Sequence, residues 1–224
     1  MVPRLNRPYV YSYFFWGEIM KTKFIFDLDG TLVKSDYEPE RKYFHDLFGN
    51  DDFTNNIGKY LLKYETTHDK YDITKLSKFL TKESGYNLTE NIIREWIYLI
   101  SKLNNPIMEE ATEVLEDLKY NNKQIILLTN WFLECQIERL KTGGLHDFFD
   151  EFYGGDILLK PNSEAFENAI GNTPKEECIM IGDSYNIDII GANNAGIDAL
   201  YFSKDENTIY KNRIKRLNEI RKWI

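Results

Sequence analysis

The chain has 224 residues, with 28 Lys+Arg against 36 Asp+Glu for a formal net charge of −8, and it is 42% hydrophobic and 29% charged. A chain of this mass can bury about 70% of its unfolded surface, so disorder as the main state is excluded. The acidic balance argues against a nucleic-acid binder, which needs a basic face for phosphates, and no run of about 18 apolar residues is present to span a membrane.

Residues 9–16 read Tyr-Val-Tyr-Ser-Tyr-Phe-Phe-Trp and follow Arg4 and Arg7. They imitate a signal peptide but lack a small-residue cleavage site before the first expected strand. Residues 1–20 are therefore read as an N-terminal extension, with an aromatic membrane or partner anchor as the other reading. The only cysteines are Cys135 and Cys178, with no C-x-x-C pair, as expected for reduced thiols in the cytoplasm.

Four short apolar runs, 23–27, 124–130, 178–183 and 198–202, read as buried strands, the first three with polar residues at their ends. Helical patterns over 109–120, 132–141, 163–170 and 187–195 alternate with them. The alternation predicts an α/β fold, a Rossmann-like parallel sheet with helices on both faces. Residues 36–106 break the pattern with four helical stretches, about 39–48, 54–66, 73–84 and 89–103, and no strand. The last carries Ile92, Ile93, Trp96, Ile97 and Ile100 on one side. The prediction is an all-helical cap at 36–106 inserted into a core of 21–35 and 107–224. The tail from Lys204 reads as a basic amphipathic helix, with Ile214, Leu217, Ile220 and Trp223 packed on the core.

The chemistry gathers where the strands end. Asp27 and Asp29 follow the first, Thr129 the second, and Asp183 with Asp188 the third. Ligands of open parallel sheets bind beyond those ends, so these side chains should converge. Several carboxylates in one crevice repel unless a cation compensates, and hard oxygen donors with spare positions suit Mg²⁺. Asp27 and Asp29, two apart, point the same way about 6.5 Å from each other in extended geometry. Gly30 permits a sharp exit that lets backbone amides approach an anion. A calcium loop would need acidic residues where Thr31, Val33 and Ser35 stand. Asp-x-Asp-Gly-Thr occurs by chance in roughly one chain in 300 of this length.

Asp27-Leu-Asp-Gly-Thr31, Thr129-Asn130, Lys160-Pro161 with Glu164-Ala-Phe166, and Gly182-Asp183-Ser184 through Asp188 stand in order along the chain. In this the sequence resembles the haloacid dehalogenase-like (HAD) hydrolase superfamily from Lys21 to Phe202, and within it the helical-cap phosphatases that include phosphoglycolate phosphatases and pyrimidine nucleotidases. The resemblance implies that Asp27 is a nucleophile forming an aspartyl-phosphate and that Asp29 is the acid and base. It implies that Thr129, Asn130 and Lys160 bind phosphate. Mg²⁺ would lie on Asp27, the Asp29 backbone carbonyl and Asp183, while Asp188 would support the metal or orient Lys160.

Asp29 distinguishes the chain from the dehalogenases and phosphonate hydrolases of that superfamily, which lack the second acid. The expected activity is therefore hydrolysis of a small phosphorylated metabolite: a nucleotide, a sugar phosphate or a phosphoglycolate-like ester. The expected assembly is a monomer or homodimer. A phosphomutase of the β-phosphoglucomutase type and a non-catalytic binding protein are the alternatives. Ser163, where the family commonly has proline, is read as a helix cap, and Gly154-Gly155 as a turn. Tyr37, Tyr60, Tyr64 and Trp96 are placed to stack on a base, although core packing is expected for most of them. His45, His68 and His146 have no ligand spacing.

Overall fold

The computed structural model describes residues 20–207 and 209–224, so the extension apart from Met20, with its aromatic run, lies outside the described residues. Six strands form one parallel sheet in the order β3-β2-β1-β4-β5-β6. They are β1 (Lys23–Phe26), β2 (Gln124–Leu128), β3 (Glu151–Tyr153), β4 (Cys178–Gly182), β5 (Asp198–Phe202) and β6 (Arg213–Ile214). β1 is central, paired in register with β2 on one side and β4 on the other.

Both faces of the sheet are covered, which is why its strands are continuous apolar runs. Side chains alternate with the two-residue period of a strand. Phe24, Phe26, Ile125, Leu127, Ile179 and Ile181 pack on one side. There they meet Val114, Leu115 and Leu118 of α5 (Ala111–Tyr120). Ile25, Ile126, Leu128 and Met180 pack on the other, against α7 (Ser163–Ile170) and α8 (Ile190–Ala195).

Between β1 and α5 the chain makes four helices: α1 (Glu38–Phe48), α2 (Asp52–Glu65), α3 (Ile73–Ser84) and α4 (Glu90–Ser101). Two start at side-chain caps, Asp72 accepting from Lys75 N–H and Thr89 from Ile92 N–H. Gly49 and Gly85 close α1 and α3 in the left-handed conformation. Their apolar faces enclose Phe44, Phe53, Tyr64, Leu76, Leu80, Ile93 and Trp96, and the same cluster takes in Trp131, Cys135 and Leu159 from the sheet domain. The helical insert is thus seated on an apolar joint. Chain entry and exit are tied together, with Lys34 N–H donating to Pro106 O at 2.8 Å and Met108 N–H to Leu32 O at 2.9 Å.

Helix ends lie within three residues of the sequence expectation, but several details differ. The short strands β3 and β6 were not foreseen, having three and two residues with little apolar pattern. The tail is not one helix. It forms β6 and then a 3₁₀ segment, Leu217–Trp223, whose three residues per turn match the three-residue spacing of its apolar side chains. Leu217 and Ile220 are buried against the sheet, as the apolar face predicted. Asn162, not Ser163, caps α7, accepting from Glu164 N–H at 3.0 Å. Gly154-Gly155 is more than a turn: Gly155 donates to Trp131 O and accepts from Tyr71 N–H, both at 2.7 Å, joining insert to sheet.

Phe166 of α7 is fully buried beside Gly191, so its removal leaves a cavity that the helix and sheet cannot close. Phe166→Ala should lower unfolding free energy by about 3–5 kcal/mol in urea titrations. Tyr120→Ala, at a residue 88% exposed, should shift it by less than about 0.5 kcal/mol.

Candidate active site

Because β1 lies between β2 and β4, the residues just past the ends of these three strands share one crevice. Asp27 follows β1 directly, and its N–H donates to Ile181 O of β4 at 3.0 Å. The chain then turns tightly: Leu32 N–H donates to Leu28 O and Gly30 N–H to Val33 O, each at 2.9 Å. Gly30 has φ +79°, and a Cβ there would lie 2.0 Å from Asp183 Oδ2. The turn therefore needs glycine both for its backbone and for the approach of Asp183.

Lys160 arrives from the β3–α7 loop and is 1% exposed. Its ammonium lies 2.7 Å from Asp27 Oδ1 and 2.6 Å from Asp188 Oδ1. Asp188 also accepts from Ser184 N–H through Oδ2 at 3.0 Å, so both of its oxygens are engaged. It presses against Gly182, where a Cβ would lie 2.3 Å from Asp188 Oδ2. Oxygens of Asp27, Asp183 and Asp188 all lie within 4.8 Å of one another.

The electrostatics follow from this crowding. Burial pushes the Asp27 carboxyl well up, Lys160 opposes, and the charges of Asp188 and Asp183 add to the rise. Burial and then Asp188 raise Asp183 to about 6. The Lys160 ammonium holds its proton more firmly than an ordinary lysine because its two carboxylate partners outweigh burial. Three carboxylates against one ammonium leave two negative charges on hard oxygen donors, the complement of a divalent cation such as Mg²⁺.

The other expected residues have distinct placements. Thr129 is buried, and its hydroxyl accepts from Gln136 Nε2 at 3.0 Å. Asn130 has a use the sequence did not indicate: its side chain clamps the Lys160 backbone, accepting from Lys160 N–H at 2.8 Å and donating to Lys160 O at 2.9 Å. Asp29 points away from the carboxylate cluster, into a cavity of about 440 Å³ under the helical insert. Both its oxygens receive Arg139, Nη2 to Oδ1 at 2.6 Å and Nη1 to Oδ2 at 2.8 Å, and Gln136 Nε2 adds a bond at 3.0 Å.

Gln136 and Arg139 were not foreseen. They lie three apart on the buried face of α6 (Leu133–Thr142) beside Cys135 and Leu140. Two polar residues on an apolar helix face are the signal that marks them. Glu40 of α1 was also missed; it accepts from the Trp96 indole N–H at 2.6 Å at the cavity wall. Tyr37 and Trp96 line the cavity, whereas Tyr64 stacks between His68 and Tyr71 in the insert's own core. His45 pairs with Asp51, and His146 with Asp147, both outside the cavity lining.

Burial raises Glu40 from an ordinary 4.5 to about 7, against the Trp96 hydrogen bond and with the Asp29 charge adding to the rise. A carboxyl that binds its proton more tightly when folded favours the folded state most below its unfolded value. That advantage is lost as pH rises from 4.5 to about 7. Wild type should therefore lose stability relative to Glu40→Gln between pH 5 and pH 8, read as the difference between paired urea titrations.

Comparison with known proteins gives this geometry a context. The family described as haloacid dehalogenase-like hydrolase matches residues 23–196. The chain is 33% identical to the glyceraldehyde 3-phosphate phosphatase of Methanothermobacter thermautotrophicus over 47% of its own length, a match spanning only about half (49%) of that relative. It is 29% identical to the phosphoglycolate phosphatase of Colwellia psychrerythraea over 80% of this chain and 83% of the other. The HAD-hydrolase YfnB of Bacillus subtilis, solved bound to magnesium, superimposes with a TM-score of 0.72 at 22% identity, over 91% of this chain and 99% of that one. With the family match extending from β1 past α8 and the strand-end cluster inside it, the chain belongs to the haloacid dehalogenase-like hydrolase family.

Proposed function

We propose that this chain is a Mg²⁺-dependent phosphatase that hydrolyses a small phosphate monoester through an aspartyl-phosphate on Asp27. The observation that carries the reading is the separation of two neighbouring carboxylates. Asp27 sits against Lys160 in the buried cluster, whereas Asp29 faces the cavity beneath the insert. One is suited to attack phosphorus, the other to handle the proton of the departing or entering oxygen. The phosphatase names carried by two of the relatives agree with this.

In the first half-reaction an Asp27 oxygen bonds to phosphorus while the bond from phosphorus to the alcohol oxygen breaks. Asp29 gives that oxygen its proton, so a neutral alcohol leaves. In the second half Asp29 takes a proton from water, the water oxygen bonds to phosphorus, and the bond to Asp27 breaks to release inorganic phosphate. Thr129 and Lys160 hold the phosphoryl oxygens as charge spreads over them. Asn130 acts by fixing the Lys160 backbone, and Asp188 by orienting its ammonium.

Mg²⁺ would be held by Asp27, the Asp29 backbone carbonyl and Asp183, and when bound it supplies positive charge against the phosphoryl oxygens. Residues 36–106 would act as a cap that excludes water from the leaving group. The two buried free thiols, pushed up to about 12 at Cys135 and about 11 at Cys178 by burial, fit structural roles in a reducing cytoplasm.

Hydrolysis of p-nitrophenyl phosphate should require Mg²⁺, stop in EDTA, and fall to background in the nearly isosteric Asp27→Asn variant with an unchanged circular-dichroism spectrum. Substantial turnover by that variant would remove the nucleophile assignment. Asp29→Asn should slow hydrolysis of alkyl phosphates by about 10²–10⁴-fold. It should slow p-nitrophenyl phosphate much less, since that leaving group needs little protonation; equal losses on both esters would count against the acid–base role.

A further inference from the structure

Among the described residues, the cavity under the insert is lined by three carboxylates, Asp29, Asp36 and Glu40, and by a single cationic side chain, Arg139. A guanidinium has five N–H donors, and at Arg139 protein acceptors use all five. Nε donates to Asn105 Oδ1 at 3.2 Å, and Nη2 donates to Asn105 Oδ1 at 2.8 Å and Asp29 Oδ1 at 2.6 Å. Nη1 donates to Asp29 Oδ2 and Gln136 Oε1, each at 2.8 Å. The guanidinium of Arg139 is thus spent on fixing Asp29 and has no donor left for a ligand.

Glu40 differs. A carboxylate offers about four acceptor sites, and the Trp96 indole takes one of them at 2.6 Å. The remaining wall includes the apolar surfaces of Tyr37, Ile57, Leu61 and Leu103, with Ser35, Thr54 and the Trp131 indole among its uncharged polar members. At about 440 Å³ the space falls within the range of about 300–1,000 Å³ usual for small-molecule sites. It is much larger than a short acid such as glycolate would fill.

We propose that this cavity selects phosphate monoesters of neutral, ring-bearing alcohols that carry an N–H or O–H donor, and rejects alcohols bearing a carboxylate, with Glu40 as the specificity-determining residue. The inference rests on the phosphatase reading of the same site. Above about pH 7, where Glu40 has lost its proton, a leaving group with a carboxylate would face Asp36 and Glu40 without a free cation among the described lining residues, a like-charge contact with no compensation. A donor on a ring would reach Glu40 while the ring lies on the apolar wall. The selectivity thus departs from that named for the phosphoglycolate phosphatase relative.

The test uses the full chain with Mg²⁺ at pH 8, where Glu40 is ionised, and three esters: p-nitrophenyl phosphate, 2-phosphoglycolate and uridine 5′-monophosphate. The nucleotide should exceed phosphoglycolate in kcat/KM by at least ~100-fold, the scale of an uncompensated like-charge contact. Glu40→Gln keeps an acceptor for Trp96 and removes the charge. It should narrow the ratio by ~10-fold, mainly through a lower KM for phosphoglycolate. Phosphoglycolate turned over as well as the nucleotide, or a ratio unmoved by Glu40→Gln, would overturn the proposal. Failure of p-nitrophenyl phosphate hydrolysis would instead strike the phosphatase reading. Selectivity would then be read from indole fluorescence, because Trp96 is bonded to Glu40: quenching by uridine but not glycolate supports the proposal, and the reverse overturns it.

Discussion

A buried ammonium surrounded by carboxylates is the constraint on which the rest of this structure depends. Lys160 is almost fully removed from water, and a charge in that position is tolerable only with close partners. Asp27 and Asp188 supply them from different strands' ends, and Asn130 clamps the backbone that carries the lysine. Removing one partner from such a group costs about 3–5 kcal/mol because the remaining charge is left uncompensated. The arrangement exists only because β1 stands between β2 and β4. Gly182 and Gly30 leave the space into which Asp188 and Asp183 project.

The cluster remains over-supplied with negative charge, which is the physical basis for expecting a divalent cation. Burial first, and then the charge of Asp188, raise Asp183 to about 6. Asp29 stands outside that group of three, its oxygens bonded to Arg139 and Gln136 of α6. The two aspartates, adjacent but for one leucine, therefore occupy different electrostatic surroundings. Such a difference lets two similar carboxylates take different parts in a reaction.

The insert and the sheet domain are coupled through packing as well as through the chain crossings. Trp131 and Cys135, just beyond β2, belong to the same apolar cluster as Trp96 and Tyr71 of the insert. Gly155 and Leu159 receive or give backbone hydrogen bonds to Tyr71 and Asp69. The β2–α6 segment thus carries Thr129 and Asn130 toward the sheet while its next residues support the insert. Any movement of the insert would be felt at the cavity, which both Glu40 of the insert and Asp29 line.

The parts of this protein legible from sequence alone are those written in local pattern. Apolar runs, three of them with polar ends, specified four of the six described strands, because a strand buried on both faces has little freedom in composition. The three-residue apolar spacing of the tail identified the face it buries, though not the 3₁₀ geometry that the spacing itself describes. Asp27, Asp29, Thr129 and Asp183, with Asp188 shortly after, could be named as candidates from their place past apolar runs, and Lys160 from the order of the motifs in the family resemblance. What only the tertiary structure decided was which groups each of them touches. Asn130 bracing Lys160, Arg139 holding Asp29, and Glu40 accepting from Trp96 join residues 30 to 110 positions apart. Contacts across such separations are set by how layers pack, and no local periodicity encodes them.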